Sequence, residues 1–187
     1  MSHPLEKFNC CPSCGSHSWR EHDFKSKECA DCGFVYYANA AASTAAFILR
    51  TPPQGGEEEE LLVVSRAKEP AKGTLDLPGG FVDMGETAEE GMLREVEEET
   101  GMRLDGAAEF LFTEPNQYVY SGMTIHTIDL FFLFRTDSSA QPRAADDAAD
   151  CRWIRLSQVR PEDFGLGSIS RAVSRFLSGR QPAQTSE

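Results

Sequence analysis

Three glutamates at helical spacing near the middle of the chain could bind divalent metal ions. Glu95, Glu98 and Glu99 lie three and four residues apart, so a helix would place them along one stripe. Carboxylates this close repel one another, which disfavours the helix unless cations bind beside them. Hard oxygen ligands suit Mg²⁺ or Mn²⁺, ions that keep some of their waters and engage substrate phosphates. The spacing therefore favours a site for phosphate chemistry, and a solvated acidic helix face is the alternative.

The helix that would carry these acids has its own start and stop signals. In TAEEGMLREVEEET (87–100), Thr87 and Glu90 form a capping box, and Gly101 follows as a left-handed cap. Apolar residues form a neighbouring stripe at the same spacing: Ala88, Met92, Leu93 and Val96. We therefore predict a helix that packs through one face and presents its acids beside that face.

The residues around this helix match a known motif over 23 residues. The matching positions are Gly80-x5-Glu86-x7-Arg94-Glu95-Val96-x-Glu98-Glu99-x-Gly101-Met102. They agree with every fixed position of the Nudix box, so the chain resembles Nudix hydrolases over about residues 40–178. The LPGG segment just before the motif and the strands after it are similar to that family as well.

The Nudix resemblance implies a loop–helix–loop site for divalent metals. It implies that the three glutamates of the stripe bind Mg²⁺ or Mn²⁺ and that the Gly79 carbonyl is a further ligand. It also implies that Arg94 orients the glutamates, while Glu86 supports the loop or its metals. A Nudix-type α/β/α sandwich with a mixed sheet is the fold expected around such a site.

The chemistry expected at this site is hydrolysis of a phosphoanhydride. That reaction requires neutralised phosphate oxygens and an oriented water, and bound Mg²⁺ ions supply both. The predicted catalytic residues are Glu98, Arg94 and Glu86, and Glu98 is one candidate for the general base. Glu114 and Asp129, outside the motif, are the other candidates for the base, although a structural role is favoured for both.

Four cysteines near the N-terminus have the spacing of a zinc ribbon. They form two CxxC pairs, separated by 14 residues: Cys11 with Cys14, and Cys29 with Cys32. Gly15 and Gly33 follow the pairs and allow tight turns around a metal. Coordination by four cysteines suits a structural Zn²⁺ site, whereas disulfides are disfavoured because the chain start lacks the pattern of a signal peptide. Cys10 is left over and could replace Cys11.

The charge of the chain bears on its partners. With 18 basic and 30 acidic residues the net charge is −12, which disfavours binding to nucleic acid or to anionic lipid. For the ribbon, a packing role or a role in a homodimer is therefore favoured over contact with nucleic acid. Because no apolar run is long enough to span a bilayer, we expect no membrane association and a cytoplasmic location.

The coarse order of elements indicates an α/β fold in two parts. Patterns of alternating or continuous apolar residues predict strands at 45–50, 61–67, 109–113, 117–120, 123–135 and 151–156, and helices at 87–100 and 168–177. We expect the zinc ribbon to occupy residues 1–37 and the Nudix domain residues 38–180. A disordered tail is expected at 181–187.

A second resemblance narrows the range of expected substrates. A ribbon joined to a Nudix domain is similar to NADH pyrophosphatases and to a related set that includes plant-type FAD pyrophosphatases. The NADH enzymes carry an SQPWPFP-like segment where this chain has FLFTEPNQYVYSG (110–122), whereas Tyr37, Asn39 and the Cys151–Arg152 pair resemble the second set. The ranking is FAD or another dinucleotide first, then ADP-ribose, with oxidised nucleoside triphosphates behind.

Two readings without catalysis compete with this one. The domain could be a Nudix module that senses nucleotides without hydrolysis, but the complete set of glutamates and Arg94 argues against it. The chain could instead be a zinc-ribbon adaptor, but it has no basic patch interleaved with aromatic residues.

Overall fold

The computed structural model describes residues 3–53, 55–56, 58–136, 141–145 and 148–180. Contacts divide the chain into one unit of Met1–Ala41 with Gln117–His126 and a second unit of Ala42–Asn116 with Thr127–Glu187. The predicted tail at 181–187 lies outside the described residues. The predicted domain limits, 1–37 and 38–180, stay predictions.

The N-terminal segment forms a small antiparallel sheet with almost no core. Its strands are β1 (Trp19–Asp23), β2 (Ser26–Cys29) and β3 (Val35–Tyr37), in the order β1-β2-β3. The buried apolar cluster consists of Cys11, Trp19 and Cys29, with Phe34 stacked on Trp19 at 6.3 Å between ring centroids. A core of this size cannot stabilise a domain by apolar burial alone, so a bound metal is expected to contribute.

The larger sheet is mixed and has six strands. They are β4 (Ala41–Arg50), β5 (Glu60–Arg66), β6 (Leu75–Asp76), β7 (Glu109–Tyr120), β8 (Met123–Thr136) and β9 (Ala148–Arg155). The order is β6-β5-β4-β8-β7, and β9 pairs antiparallel with β5. Two helices accompany the sheet, α1 (Ala88–Thr100) and α2 (Gly167–Arg180), and no helix in the described residues is long and apolar enough to cross a membrane.

The two faces of the sheet pack against different helices because side chains alternate along a strand. Ala46 and Ile48 of β4 join Met92 and Val96 of α1 in one buried cluster. The intervening residues of β4 join α2 in the other cluster, where Phe47 stacks on Phe176 at 4.2 Å. This arrangement confirms the predicted α/β/α sandwich, with both helices near their predicted positions.

One predicted break in the sheet is wrong. We expected separate strands at 109–113 and 117–120, but the structure has a single strand, β7, that continues through Pro115. In the sheet order β7 is an edge strand, and edge strands tolerate a proline because its nitrogen can face away from the neighbouring strand. The two-residue strand β6 was also not predicted, because it lies in a segment rich in turn formers.

Candidate active site

Helix α1 is fixed at both ends by the predicted caps. The Thr87 hydroxyl accepts a hydrogen bond from the Glu90 amide at 3.2 Å, and the Thr87 amide donates to the Glu90 carboxylate at 2.8 Å. Gly101 ends the helix in the left-handed conformation. Because Met92 and Val96 are buried against the sheet, the rotation of the helix about its axis is fixed, and with it the direction of each glutamate.

Arg94 is the centre of a network of acidic side chains. It donates two hydrogen bonds to the Glu86 carboxylate, at 2.8 and 3.0 Å, which is a bidentate pair. It also donates to Glu95 at 2.8 Å and to Glu98 at 3.1 Å. A fifth bond, at 3.0 Å, goes to the Phe81 carbonyl in the loop before the helix. One guanidinium thus connects three of the predicted acids to each other and to the loop.

Glu86 ties the preceding loop to this network. Besides Arg94, its carboxylate accepts a hydrogen bond from the Asp83 amide at 3.0 Å. The hydrogen bonds from Arg94, and then the one from Asp83, lower the pKa of Glu86 to about 2. Glu86 is therefore ionised across the neutral pH range and holds the loop closed against α1.

Glu99 lies in a different environment from its neighbours on the helix. It is buried, and its carboxylate accepts one hydrogen bond in the described structure, from the Gly79 amide at 3.1 Å. Burial raises the pKa of Glu99 to about 8, and the nearby carboxylates of Asp76 and Glu95 add to the rise. A charged Glu99 is thus poorly compensated by the protein alone.

The segment 78–82 runs antiparallel beside the start of β4. Three backbone hydrogen bonds join them: Thr44 N to Gly80 O at 2.8 Å, Ala46 N to Pro78 O at 2.9 Å, and Val82 N to Ala42 O at 3.1 Å. The N–H and C=O of one residue in an extended segment point the same way. The Gly79 amide therefore donates to Glu99 instead of pairing with β4, and the role of its carbonyl as a metal ligand stays a prediction.

Both glycines of this segment lack room for a side chain. A Cβ at Gly79 would lie 2.1 Å from the Thr44 carbonyl oxygen, so only glycine allows the close approach to β4. A Cβ at Gly80 would lie 2.5 to 2.6 Å from the carboxylate atoms of Glu95. The Glu95 carboxylate therefore lies directly over Gly80.

The six residues predicted for the catalytic site thus lie in one connected region. They are Gly79, Glu86, Arg94, Glu95, Glu98 and Glu99. Their carboxylates do not form a ready metal-binding cluster among the described residues, because Arg94 holds two of the three stripe glutamates while Gly79 holds the third.

The two candidate bases outside the motif lie elsewhere. Asp129 is buried and accepts hydrogen bonds from three hydroxyls, those of Ser43, Thr127 and Ser168. Glu114 pairs with two arginines of α2, at 3.3 and 3.5 Å. Both acids thus contact residues of α2, whereas the glutamates belong to α1, which favours a structural role for both.

The four predicted cysteines form a compact cluster. Their sulfur atoms all lie within 4.8 Å of one another, and Cys11–Cys32 and Cys14–Cys29 are 3.7 Å apart. Disulfide sulfurs would be about 2 Å apart, so the cysteines are free. A tetrahedral zinc site with Zn–S distances near 2.3 Å needs sulfurs about 3.8 Å apart. The cluster therefore fits one zinc ion.

Each CxxC pair forms the same tight turn. The Gly15 amide donates to the Cys11 carbonyl at 2.8 Å, and the Gly33 amide donates to the Cys29 carbonyl at 2.9 Å. Both glycines have a positive φ, 76° and 73°, which other residues rarely adopt. The sequence expectation that glycine allows these turns is confirmed, and Cys10 lies exposed outside the cluster.

Sequence reasoning missed two residues near the site. Asp83 supplies the amide that binds Glu86, but its backbone contact leaves no signal in the sequence. Thr44 is a buried polar residue beside Gly80, and its position just before the apolar run AAFIL could have been noticed. Asp83 occupies a variable position of the Nudix box, and Thr44 lies outside it.

The fold and the site together indicate the class of this protein. The fold is an α/β/α sandwich, and in its glutamate-rich loop–helix–loop one arginine, Arg94, bonds both the acids and the loop. The NUDIX domain family matches residues 42–173, which is most of the chain. The chain therefore belongs to the NUDIX family.

Individual relatives extend the likeness. The chain is 29% identical over 119 residues to an ADP-ribose pyrophosphatase of Methanocaldococcus jannaschii, covering 63% of this chain and 67% of that protein. It is 28% identical to the NAD-capped RNA hydrolase NudC of Haemophilus influenzae, covering 92% of this chain but only 61% of that relative. The solved structure of a NUDIX hydrolase from Nitrosomonas europaea has the same fold, with a TM-score of 0.65, 20% identity and 92% coverage of both chains.

Proposed function

We propose that this protein is a divalent-metal-dependent pyrophosphohydrolase that cleaves the phosphoanhydride of a nucleoside-diphosphate-linked substrate. The network around Arg94 carries the proposal, because it gathers Glu86, Glu95 and Glu98 beside the buried Glu99. The similarity to proteins named as a pyrophosphatase and as a hydrolase supports it.

The proposed ligands of Mg²⁺ or Mn²⁺ are the carboxylates of Glu95, Glu98 and Glu99 and the carbonyl of Gly79. All four are hard oxygen donors of the kind these ions prefer. Glu99 adds a physical reason, since a buried carboxylate with one N–H donor is unfavourable unless a cation neutralises it. The residues present therefore fit a divalent ion.

The protein's own residues would orient the reaction. Bound metal ions supply charge neutralisation for the phosphates and a more acidic water. Arg94 and Glu86 would keep the loop and the glutamates together on one side of α1 while an ion binds. Glu98 remains our candidate general base, because its side chain is 47% exposed and can take a proton from a water at its carboxylate oxygen.

For the substrate we favour FAD or a similar dinucleotide, followed by ADP-ribose. These compounds share an adenosine diphosphate joined through its second phosphate to another group, so one phosphoanhydride-cleaving site could act on all of them. The similarity to an ADP-ribose pyrophosphatase supports this class. Our reason for ranking dinucleotides first is the likeness of Tyr37, Asn39 and Cys151–Arg152 to FAD pyrophosphatases. AMP is one expected product.

For the N-terminal segment we propose a structural Zn²⁺ held by Cys11, Cys14, Cys29 and Cys32. Four thiolates leave no open position on the ion, so the site would stabilise the small sheet rather than take part in hydrolysis. The net charge of −12 makes a role in packing or in a homodimer a better explanation of the ribbon than contact with nucleic acid.

The proposal is tested by a substrate panel with Mg²⁺ or Mn²⁺. The panel contains FAD, NADH, NAD-capped RNA, ADP-ribose, diadenosine polyphosphates and nucleoside triphosphates, and mass spectrometry identifies the products. We expect the fastest turnover with FAD or another dinucleotide. Binding of these compounds without any turnover would instead support the alternative of a nucleotide sensor.

Two variants of the glutamate stripe test the metal assignment. Glu98→Gln and Glu99→Gln should each lower kcat by roughly 10²- to 10⁴-fold. The matched control is Glu97→Gln, because Glu97 lies in the same helix, is also 47% exposed and pairs with Arg103 away from the network. Undiminished hydrolysis in both stripe variants, with the control unchanged, would refute the assignment.

A further inference from the structure

Thr44 carries a buried hydroxyl without a hydrogen-bond partner. Its side chain is 3% exposed, and its Oγ1 contacts no donor or acceptor in the described part of the chain. An unsatisfied buried hydroxyl opposes folding, and most native proteins avoid it. Valine would fill nearly the same space without this cost. Stability therefore does not explain why this position carries a hydroxyl.

The position of Thr44 in the sheet places it beside Glu95. Ser43 is bridged antiparallel to Phe81, and the Thr44 amide bonds the Gly80 carbonyl, so Thr44 lies directly opposite Gly80. Side chains of directly opposite residues point to the same face, with Cβ atoms about 5 Å apart. The Glu95 carboxylate lies over the position of a Gly80 Cβ. The Thr44 hydroxyl and the Glu95 carboxylate are thus on one face.

The alternation along β4 gives the same answer independently. Ala46 and Ile48 pack against α1, and Thr44, two residues before Ala46, lies on the same face of β4. Its neighbour Ser43 lies on the opposite face of β4 and donates a hydrogen bond to Asp129. Asp129 also accepts one from Ser168 of α2. Two adjacent hydroxyls therefore face opposite sides of the sheet. The Ser43 hydroxyl bonds a carboxylate, whereas the Thr44 hydroxyl is buried on the side of the glutamates with no partner among the described residues.

We propose that Thr44 is a positioning residue of the divalent-ion site: its hydroxyl accepts a hydrogen bond from a water carried by the ion that Glu95 binds. This inference rests on the proposed function. Ions such as Mg²⁺ keep several waters when proteins bind them, and those waters need acceptors. A threonine hydroxyl offers two lone pairs and a donor, so it can satisfy such a water and fix its orientation.

The test compares Thr44→Val, which deletes the hydroxyl, with Thr44→Ser, which keeps it. Mn²⁺ binding to the full chain is followed by the electron paramagnetic resonance signal of the free ion. Loss of an outer hydrogen bond of this kind typically weakens metal binding 10- to 100-fold, so we expect roughly tenfold weaker binding for Thr44→Val. Thr44→Ser should stay within about threefold of the parent protein.

Stability without metal gives a second readout that does not depend on catalysis. The urea midpoint of metal-free Thr44→Val should equal or exceed that of the parent protein, because the variant removes an unsatisfied buried hydroxyl. Ser43→Ala is the matched control on the other face. It should lower the midpoint, because Ser43 bonds the buried Asp129, and change Mn²⁺ affinity less than about twofold.

The outcomes separate this inference from the function on which it rests. Normal Mn²⁺ binding by Thr44→Val, together with weak binding by Glu95→Gln, would overturn the role of Thr44 and leave the metal site standing. Equally weak binding by Thr44→Ser and Thr44→Val would also overturn it, since the hydroxyl would then not be the decisive group. Failure of the parent protein to bind Mn²⁺ would overturn both.

Discussion

Alanine at either of the two adjacent glycines before α1 should have a different main effect: at Gly80 it should impair metal binding, and at Gly79 it should impair stability. In Gly80→Ala, the new methyl group would lie 2.5 to 2.6 Å from the Glu95 carboxylate atoms. Because ordinary contacts are near 3.5 Å, the carboxylate must move by roughly 1 Å. It is the end of a flexible side chain, so the backbone can stay in place. We therefore expect a folded protein with a displaced Glu95.

The cost of Gly80→Ala in stability follows from the contacts it disturbs. Moving Glu95 weakens its 2.8 Å bond to Arg94, and a hydrogen bond to a charged group contributes about 1.5–3 kcal/mol at most. Arg94 keeps its bonds to Glu86 and Glu98, and alanine restricts the unfolded chain by about 0.4–1 kcal/mol in favour of folding. The net loss should therefore stay near 1–2 kcal/mol.

Gly79→Ala should instead damage the fold. Its methyl group would lie 2.1 Å from the Thr44 carbonyl oxygen and 2.7 Å from the Ala45 Cα, which are backbone atoms of β4. The loop must then separate from the strand. Overpacking costs about 1–3 kcal/mol, and the two flanking backbone hydrogen bonds add about 1 kcal/mol each. We expect a loss of about 3–5 kcal/mol.

Urea unfolding followed by circular dichroism measures the stabilities, and Mn²⁺ titration with hydrolysis of the best panel substrate measures function. Gly80→Ala should lose at least about tenfold in Mn²⁺ affinity, while its urea midpoint falls less than that of Gly79→Ala. Gly79→Ala should show a clearly lower midpoint. Parent-like Mn²⁺ affinity and turnover in Gly80→Ala would refute the idea that the place of Glu95 over Gly80 matters. A parent-like midpoint for Gly79→Ala would refute the tight contact with β4.

Two further predictions concern groups outside the glutamate stripe. Asp129→Asn should lower the free energy of unfolding by about 1–3 kcal/mol, because three hydroxyls lose their common carboxylate. It should change kcat of the folded protein less than about threefold. A loss of kcat near 10²-fold at unchanged stability would make Asp129 the general base after all. Cys29→Ser should reduce the zinc content, measured by elemental mass spectrometry, from one ion per chain to nearly none. It should also increase hydrogen exchange at the amides of the small sheet. Parent-like zinc content would contradict the four-cysteine site.

The parts of the structure that depend on neighbouring residues were predictable from the sequence. The caps of α1 are local, so Thr87, Glu90 and Gly101 identified the helix ends to within one residue. The apolar runs at 45–50 and 61–67 predicted β4 and β5, although β4 begins earlier, at Ala41. The CxxC spacing predicted the cysteine cluster for the same reason, since each turn involves only a few residues.

Features that depend on distant contacts were not predictable. Glu58 accepts a hydrogen bond from the Ser157 amide and Glu60 pairs with Arg50, and the acidic run in which both lie does not indicate these partners. Gly91 of α1 faces the loop that precedes the helix. In the structure a Cβ there would lie 3.2 Å from the Glu86 carboxylate, so the glycine allows the loop to pack on α1. Of these partners, Ser157 is the most distant, 99 residues from Glu58 in the sequence.

The two buried carboxylates of the larger unit show why we assign the ion to α1. Asp129 accepts hydrogen bonds from three hydroxyls, so its oxygens are satisfied by the protein. Glu99 is about as buried but accepts only one in the described structure, and burial raises its pKa to about 8. Selection for stability alone would not retain both this acid and the unpartnered hydroxyl of Thr44 beside the same two glycines. The proposed divalent ion with its waters would account for both, because it would supply further positive charge beside Glu99 and a hydrogen-bond donor to Thr44.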